Sequence, residues 1–219
     1  MKILGIAVAA ALTVSSAHAA LIDFDDTPGA AEGLEITDQF EALAGVVFEF
    51  GAGGPVLAEA GNPRTAFAPN DTPDPGEGIG QFFLTDDGIT SGLNVAPITM
   101  RYTREGSSMV SGQILDINFE EEFTVQALDV NGNVVDTFIV QAGDPETGNQ
   151  LATPWTLTGN PGQIWSVVMS GTAGPSGGFF GLGVDLIETG VGPVPIPPAL
   201  LLLGSGLIAL LRRRTSEPS

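Results

Sequence analysis

Between residues 20 and 190 apolar and polar positions alternate over short runs, and no stretch holds the 3.6-residue period of a long amphipathic helix. β-Branched and aromatic residues fill the runs while Gly, Pro, Asn and Asp separate them, a pattern that predicts an all-β chain. Strands are expected at 20–26, 46–50, 81–85, 98–104, 113–119, 123–130, 133–141, 154–158, 163–170 and 179–188. About ten strands with this punctuation predict a single β-sandwich, jelly-roll-like, without internal repeat or second domain. Asp38 with Glu41 three residues on predicts one capped helical turn over 39–44, closed by Gly45. The segment 51–78, with Asp71, Thr72, Pro73, Asp74 and Pro75 at its centre, is expected to be a long surface loop. Asn131-Gly132 between two apolar runs predicts a hairpin with a type I′ turn, in which both residues take positive φ. The surrounding Asp129, Val130 and Asn133 lack the further acidic ligands and terminal Glu of a helix-loop-helix calcium site, so the turn is the better account.

The two ends have a different pattern. Lys2, the apolar run 3–14 and Ala17-His18-Ala19 form a secretory signal peptide over 1–19, with cleavage expected between Ala19 and Ala20. At the other end Val194-Pro195-Ile196-Pro197-Pro198 precedes an apolar run over 199–211 and then Arg212, Arg213 and Arg214. Prolines cannot continue a regular helix, so a transmembrane helix is expected to start near Pro198. It would span roughly 20 Å against a hydrocarbon core of about 30 Å, which is marginal for a permanent anchor. Gly204, Ser205 and Gly206 weaken it further and offer a small-residue face to another membrane protein. The arginines resist translocation and stay cytoplasmic. These features divide the chain into a signal peptide (1–19), a sandwich domain outside the cytoplasm (20–190) and a membrane-retained tail (191–219), an ordinary single-pass anchor being the alternative for the tail.

Composition then narrows the chemistry. Lys2 and His18 are the only lysine and histidine and both lie in the signal peptide, and the chain has no cysteine. Nucleophilic triads built on Cys or His are excluded, and so are zinc sites built on those ligands. Without disulfides the domain rests on its core, which about 170 residues can supply. Between the two ends, 25 acidic residues face three arginines (Arg64, Arg101, Arg104), leaving 22 negative charges. Such a surface repels nucleic acid and anionic lipid, attracts divalent cations, and also serves simply as solubility in a saline habitat.

Paired carboxylates occur at Asp25-Asp26, Asp86-Asp87 and Glu120-Glu121-Glu122. A glycosidase needs two carboxyl groups about 5 to 10 Å apart with one pKa raised by burial, whereas so many acids also produce chance pairs on a solvated face. Asp116 and Glu120, flanking Ile117 and Phe119, are expected to point outward from a strand. Arg101 and Arg104 are expected on opposite sides of theirs, each pairing a carboxylate or closing a sheet edge. Trp155, Trp165 and Tyr102 can form a platform for sugar rings. Trp165 sits in an apolar run and reads as core, so Trp155 and Tyr102 are the candidate sugar-binding residues.

The tail from Val194 to Arg214 resembles the VPxP subtype of the PEP-CTERM sorting signals of Gram-negative bacteria. Val194, Pro195 and Pro197 match its motif and Arg212, Arg213 and Arg214 its basic stop, while Ile196 stands where the namesake motif has Glu and Pro198 where Ala is frequent. The resemblance implies recognition by a membrane protease-transpeptidase of the exosortase type, then release to the cell surface or an exopolysaccharide matrix. A second, looser resemblance lies at the ends of the domain. Leu21-Ile22-Asp23-Phe24-Asp25-Asp26 and Gly183-Val184-Asp185-Leu186-Ile187 resemble the first and last strands of jelly-roll carbohydrate-binding and lectin-like modules. It implies that the terminal strands pair and that Asp23, Asp25 and Asp185 are candidate ligands of a structural calcium, with plain solvent-facing alternation as the alternative. The expectation for function is an exported surface or matrix protein, structural or adhesive and non-catalytic. A carbohydrate-binding module is the alternative, and a carboxylate glycosidase the third reading. The partners implied are the exosortase-type enzyme, exopolysaccharide and, before processing, the membrane.

Overall fold

Side chains in the middle of the chain sort by alternation. Val46, Phe48 and Phe50 are buried while Glu49 between them is exposed, and Thr153, Trp155 and Leu157 are buried between exposed neighbours. Strands with one apolar face must cover it, and here two antiparallel sheets cover each other. The computed structural model describes residues 20–51, 54–61, 79–86, 96–172 and 181–190. The expected signal peptide, sorting tail and transmembrane helix, with Ala19, Val194, Pro195, Pro197, Arg212, Arg213 and Arg214, lie outside the described residues.

The elements in order are β1 (Ala20–Ile22), a 3₁₀ turn (Phe24–Asp26), α1 (Glu41–Ala44), β2 (Val46–Phe50), β3 (Val56–Glu59), β4 (Phe82–Thr85), β5 (Ile98–Tyr102), β6 (Met109–Leu115), β7 (Glu122–Leu128), β8 (Val134–Gln141), β9 (Ala152–Thr158), β10 (Ser166–Thr172) and β11 (Gly183–Gly190). One sheet has the order β3-β4-β11-β6-β9, with β1 also on β11, and the other the order β2-β5-β10-β7-β8. β6 occupies one edge of β11 from Gly183 to Gly190, so β1 and β4 share the other: Ile22 pairs Ile187 and Leu84 pairs Val184. The first and last strands therefore pair, Ala20 lying opposite Thr189. Between the sheets Phe24, Phe40 and Phe48 form a three-ring edge-to-face cluster at centroid distances of 5.6, 6.0 and 6.1 Å. A smaller apolar cluster of Ala58, Ile79, Phe83 and Leu115 lies apart from it.

Several expectations are corrected by local hydrogen bonding. β1 stops at Ile22 because the Asp23 carboxylate accepts the Asp25 N–H at 3.0 Å and caps the 3₁₀ turn. α1 begins at Glu41 without a side-chain cap, while Gly45 (φ 68°) closes it as expected. β3 lies inside the predicted 51–78 loop. β6 runs 109–115, not 113–119, because Asp116 (φ 60°), Phe119 (φ 44°) and Glu120 (φ 68°) are left-handed and cannot continue a strand. Asp116 is accordingly buried in a loop and does not point outward. The β7–β8 hairpin forms, but its turn is not type I′: of the two central residues only Gly132 has positive φ (82°). Gly132 N–H donates to Asp129 O and Asp129 N–H to Asn133 O, so the loop is a three-residue turn with Gly in the left-handed position.

Candidate functional site

β1 and β4 lie end to end on one edge of β11, and a junction of two short strands leaves ladder donors without carbonyls. Two acids fill that role. Asp25 accepts the Gln81 and Phe82 N–H groups at 2.9 and 2.7 Å, and Asp185 accepts Gly80 N–H at 3.2 Å and Leu186 N–H at 2.8 Å. Leu186 (φ 46°) marks the bulge in β11 that makes this possible. Asp185 is fully buried, and desolvation pushes its carboxyl up to about 7, assisted by the charges of Asp23 and Asp25 and opposed by the two N–H donors. Asp23, Asp25 and Asp185 are thus near neighbours, as the resemblance implied. Calcium would need several of their oxygens turned toward one point. Among the described residues no group of three or more acidic side chains is placed to hold a metal ion, and these carboxylates serve backbone donors instead. The geometry does not fit the calcium expectation. The raised Asp185 is also closed to any substrate, so it does not make the acid of a glycosidase.

The sugar platform expected of Trp155 and Tyr102 is not formed. Trp155 is 2% exposed and faces the core from β9. Its ring lies over Gly112 of the paired strand, where a Cβ would sit 2.7 Å from the indole, so the absence of a side chain at 112 is what lets the ring turn inward. Trp165 is the tryptophan left half-buried. Tyr102 points inward at the end of β5 with Ile98 and Met100 and is 6% exposed.

Tyr102 nevertheless reaches a site. Its ring belongs to the core, but its hydroxyl meets a half-open cavity of about 60 Å³ lined by Ala44, Glu105, Gly106, Ser107, Thr189 and Gly190. That hydroxyl is buried, and although the Ser107 and Thr189 hydroxyls lie close enough to act on it, neither meets it in hydrogen-bonding geometry. Burial pushes the phenol up to about 12 against the pull of the Ser107 and Thr189 hydroxyls, so it is a neutral donor at any ordinary pH. Ser107 is held at the cavity wall by the Gly190 and Met109 carbonyls, and its backbone pairs Ile164. Thr189 reaches toward Ala20 O at 3.5 Å, which places the start of β1 beside the same cavity. Glu105 adds an exposed carboxylate. The arrangement offers one unspent O–H donor, hydroxyl acceptors and a carboxylate acceptor, a set that matches a ligand hydroxyl. Glu105, Ser107 and Thr189 had no signal in the sequence, because the 102–107 segment meets Thr189 of β11 only in the folded chain.

Among the described residues two further charged side chains bridge strands. Arg101 pairs Glu49 across the β2–β5 ladder, its Nε 3.1 Å from the carboxylate, while Arg104 forms no ion pair among the described residues. Asp136 on edge strand β8 accepts Thr158 N–H of edge strand β9 at 2.8 Å, tying the two sheets together.

No protein-family model matches this chain, and none of the curated proteins does. Among solved structures it is similar to a family-61 carbohydrate-binding module in complex with β-1,4-galactotriose (10% identity, TM-score 0.40, 68% of this chain and 92% of that one). It is also similar to a xylan-binding domain of family 22 (16%, TM-score 0.36, 77% and 100%). A third likeness is to the enzymatically active domain of bacteriophage CBA120 tailspike protein 4 (12%, TM-score 0.38, 75% of this chain), of which the chain spans 22%.

Proposed function

We propose that the chain is an exported, non-catalytic carbohydrate-binding module, delivered to the cell surface or extracellular matrix by its sorting tail. The observation that carries the reading is the Tyr102 cavity, where a buried hydroxyl has no partner and the other walls are hydroxyls, carbonyls and one carboxylate. A buried polar group without a partner is costly, and of those in the described residues the Tyr102 hydroxyl is the one that borders this cavity, where a ligand can supply the bond. A sugar hydroxyl both donates and accepts, which suits Glu105 and Tyr102 together. Anions are disfavoured by Glu105 and by the net charge of −19. Isothermal titration against neutral xylo-, galacto-, cello- and laminari-hexaoses tests the reading. Wild type should bind at least one of them, and Tyr102→Phe, which keeps the core ring, should weaken that binding about fivefold or more, the worth of one hydrogen bond. Equal affinity of wild type and Tyr102→Phe, or no binding to any of the four, overturns it.

A further inference from the structure

The end of the sandwich opposite the Tyr102 cavity has an unused feature. Phe119 is 73% exposed, the most exposed large apolar side chain among the described residues, and sits at φ 44°, a conformation that a bulky residue rarely holds. The strain is shared across two loops. Asp116 and Glu120 in the β6–β7 loop and Glu146 and Gln150 in the β8–β9 loop are also left-handed. Such strain persists where surrounding bonds over-determine it. Here buried Asp116 accepts Gln150 N–H at 2.7 Å and Asn118 Nδ2 at 3.0 Å, and buried Glu121 accepts Asn118 N–H at 2.8 Å. Asn118 Nδ2 also donates to Asn149 Oδ1 at 3.3 Å, bridging the loops. An aromatic ring is thereby held out in solvent on a rigid frame, next in sequence to one amide of a cross-loop amide pair.

We infer that Phe119 with Asn118 and Asn149 forms a second carbohydrate site, and that the module is bivalent. A pyranose presents an apolar C–H face to a ring and hydroxyls to amides. β6, seven residues long, runs from the Tyr102 end to the Phe119 end, which separates the sites by about 20 Å. They lie at opposite ends of β6, so two oligosaccharides can bind one molecule at once and one molecule can join two glycan chains. Ala20 and Gly190 emerge together at the Tyr102 end. The Phe119 end is therefore the one directed away from the attachment point while the tail is retained. Bridging raises the strength of a polymer network without any new contact chemistry.

This inference rests on the carbohydrate reading, and its test separates the two. The full chain is titrated with whichever of the four hexaoses it binds, and mixed with beads coated with the corresponding polysaccharide. Two equivalents per chain and agglutination are expected. Phe119→Ala should reduce binding to one equivalent and abolish agglutination, Phe119→Trp should restore both, and Tyr102→Phe should weaken only the other equivalent, about fivefold. Phe119 is exposed, so its variants retain the fold, checked by an unchanged Tm. One equivalent that is insensitive to Phe119→Ala overturns bivalency and leaves the Tyr102 site standing. Binding to no hexaose overturns both. A Phe119→Ala variant that loses self-association in sedimentation while keeping two equivalents identifies the ring as a contact between copies of the chain and overturns the second site.

Discussion

Two aspartates in this molecule do the same job with opposite electrostatic results. Asp185 at the β1/β4 junction and Asp129 at the β7–β8 turn each accept two backbone N–H groups that the ladder leaves over, from Gly80 and Leu186 in one case and from Asn131 and Asn133 in the other. Yet Asp185 is pushed up to about 7, whereas the hydrogen bonds from Asn133 hold Asp129 below the usual carboxylate range. The difference is water. At the junction, desolvation and two neighbouring acids outweigh the donors, while at the open turn the donors act nearly alone. A hydrogen-bonded carboxylate is therefore not stabilising by virtue of its bonds: its surroundings decide the sign.

The largest expected effect follows from that sign. An acid whose folded pKa of about 7 exceeds its unfolded value of about 3.9 holds a proton that the unfolded chain releases. Its contribution is complete below about pH 4, declines as pH rises, and is gone above about pH 7. Asp185→Asn keeps an acceptor for the backbone and removes the charge. The new amide also lies across the ladder from Gln113, whose buried Oε1 has no partner. The variant should be more stable than wild type at pH 8, on the order of 2 to 4 kcal/mol, with the gain shrinking toward pH 4, as read by urea denaturation across that range. A variant less stable than wild type at pH 8 would break the comparison by showing that the charge helps at the junction.

A smaller effect is expected at the turn, where the backbone matters more than the carboxylate. Gly132→Val forces a β-branched residue to φ 82° and should cost about 1 to 3 kcal/mol in the same assay. Smallest of all is Asp129→Ala, because the released Asn131 and Asn133 donors turn to water. Its Tm deficit should be present at neutral pH and disappear in strong acid, the reverse of the pH trend at Asp185, since a lowered pKa adds stability only above the unfolded value. Parallel pH trends in the two variants would remove the distinction between the sites.

Much of the sandwich was legible along the chain. Val46–Phe50 appears where alternation places it, and most other strands lie within a few residues of their predicted positions, because a period of two under a one-sided core admits one register. The misses share a cause. The 113–119 run looks like a strand, but Asp116 finds Gln150 and Asn118 as partners and turns the chain out of the ladder, a bond over 34 positions that no local pattern contains. Trp155 follows a proline beside polar residues and looks like a ligand contact, yet Gly112 on the paired strand makes room for it inside. Tyr102 was singled out for its ring and matters for its hydroxyl, since the burial of one and the surroundings of the other depend on β11, with Thr189 and Gly190, packing beside it.

The sequence by itself determined the all-β class, the hairpin at Gly132 and the restricted chemistry of a domain without Cys, His or Lys, because alternation, turn residues and composition are local properties. It also brought Asp23, Asp25 and Asp185 into view as a group. Only the tertiary structure decided what those acids do, which aromatic ring is buried and which exposed, and where a polar group is left without a partner. Those outcomes depend on desolvation and on hydrogen bonds between strands distant in sequence, and neither exists until the sheets have closed.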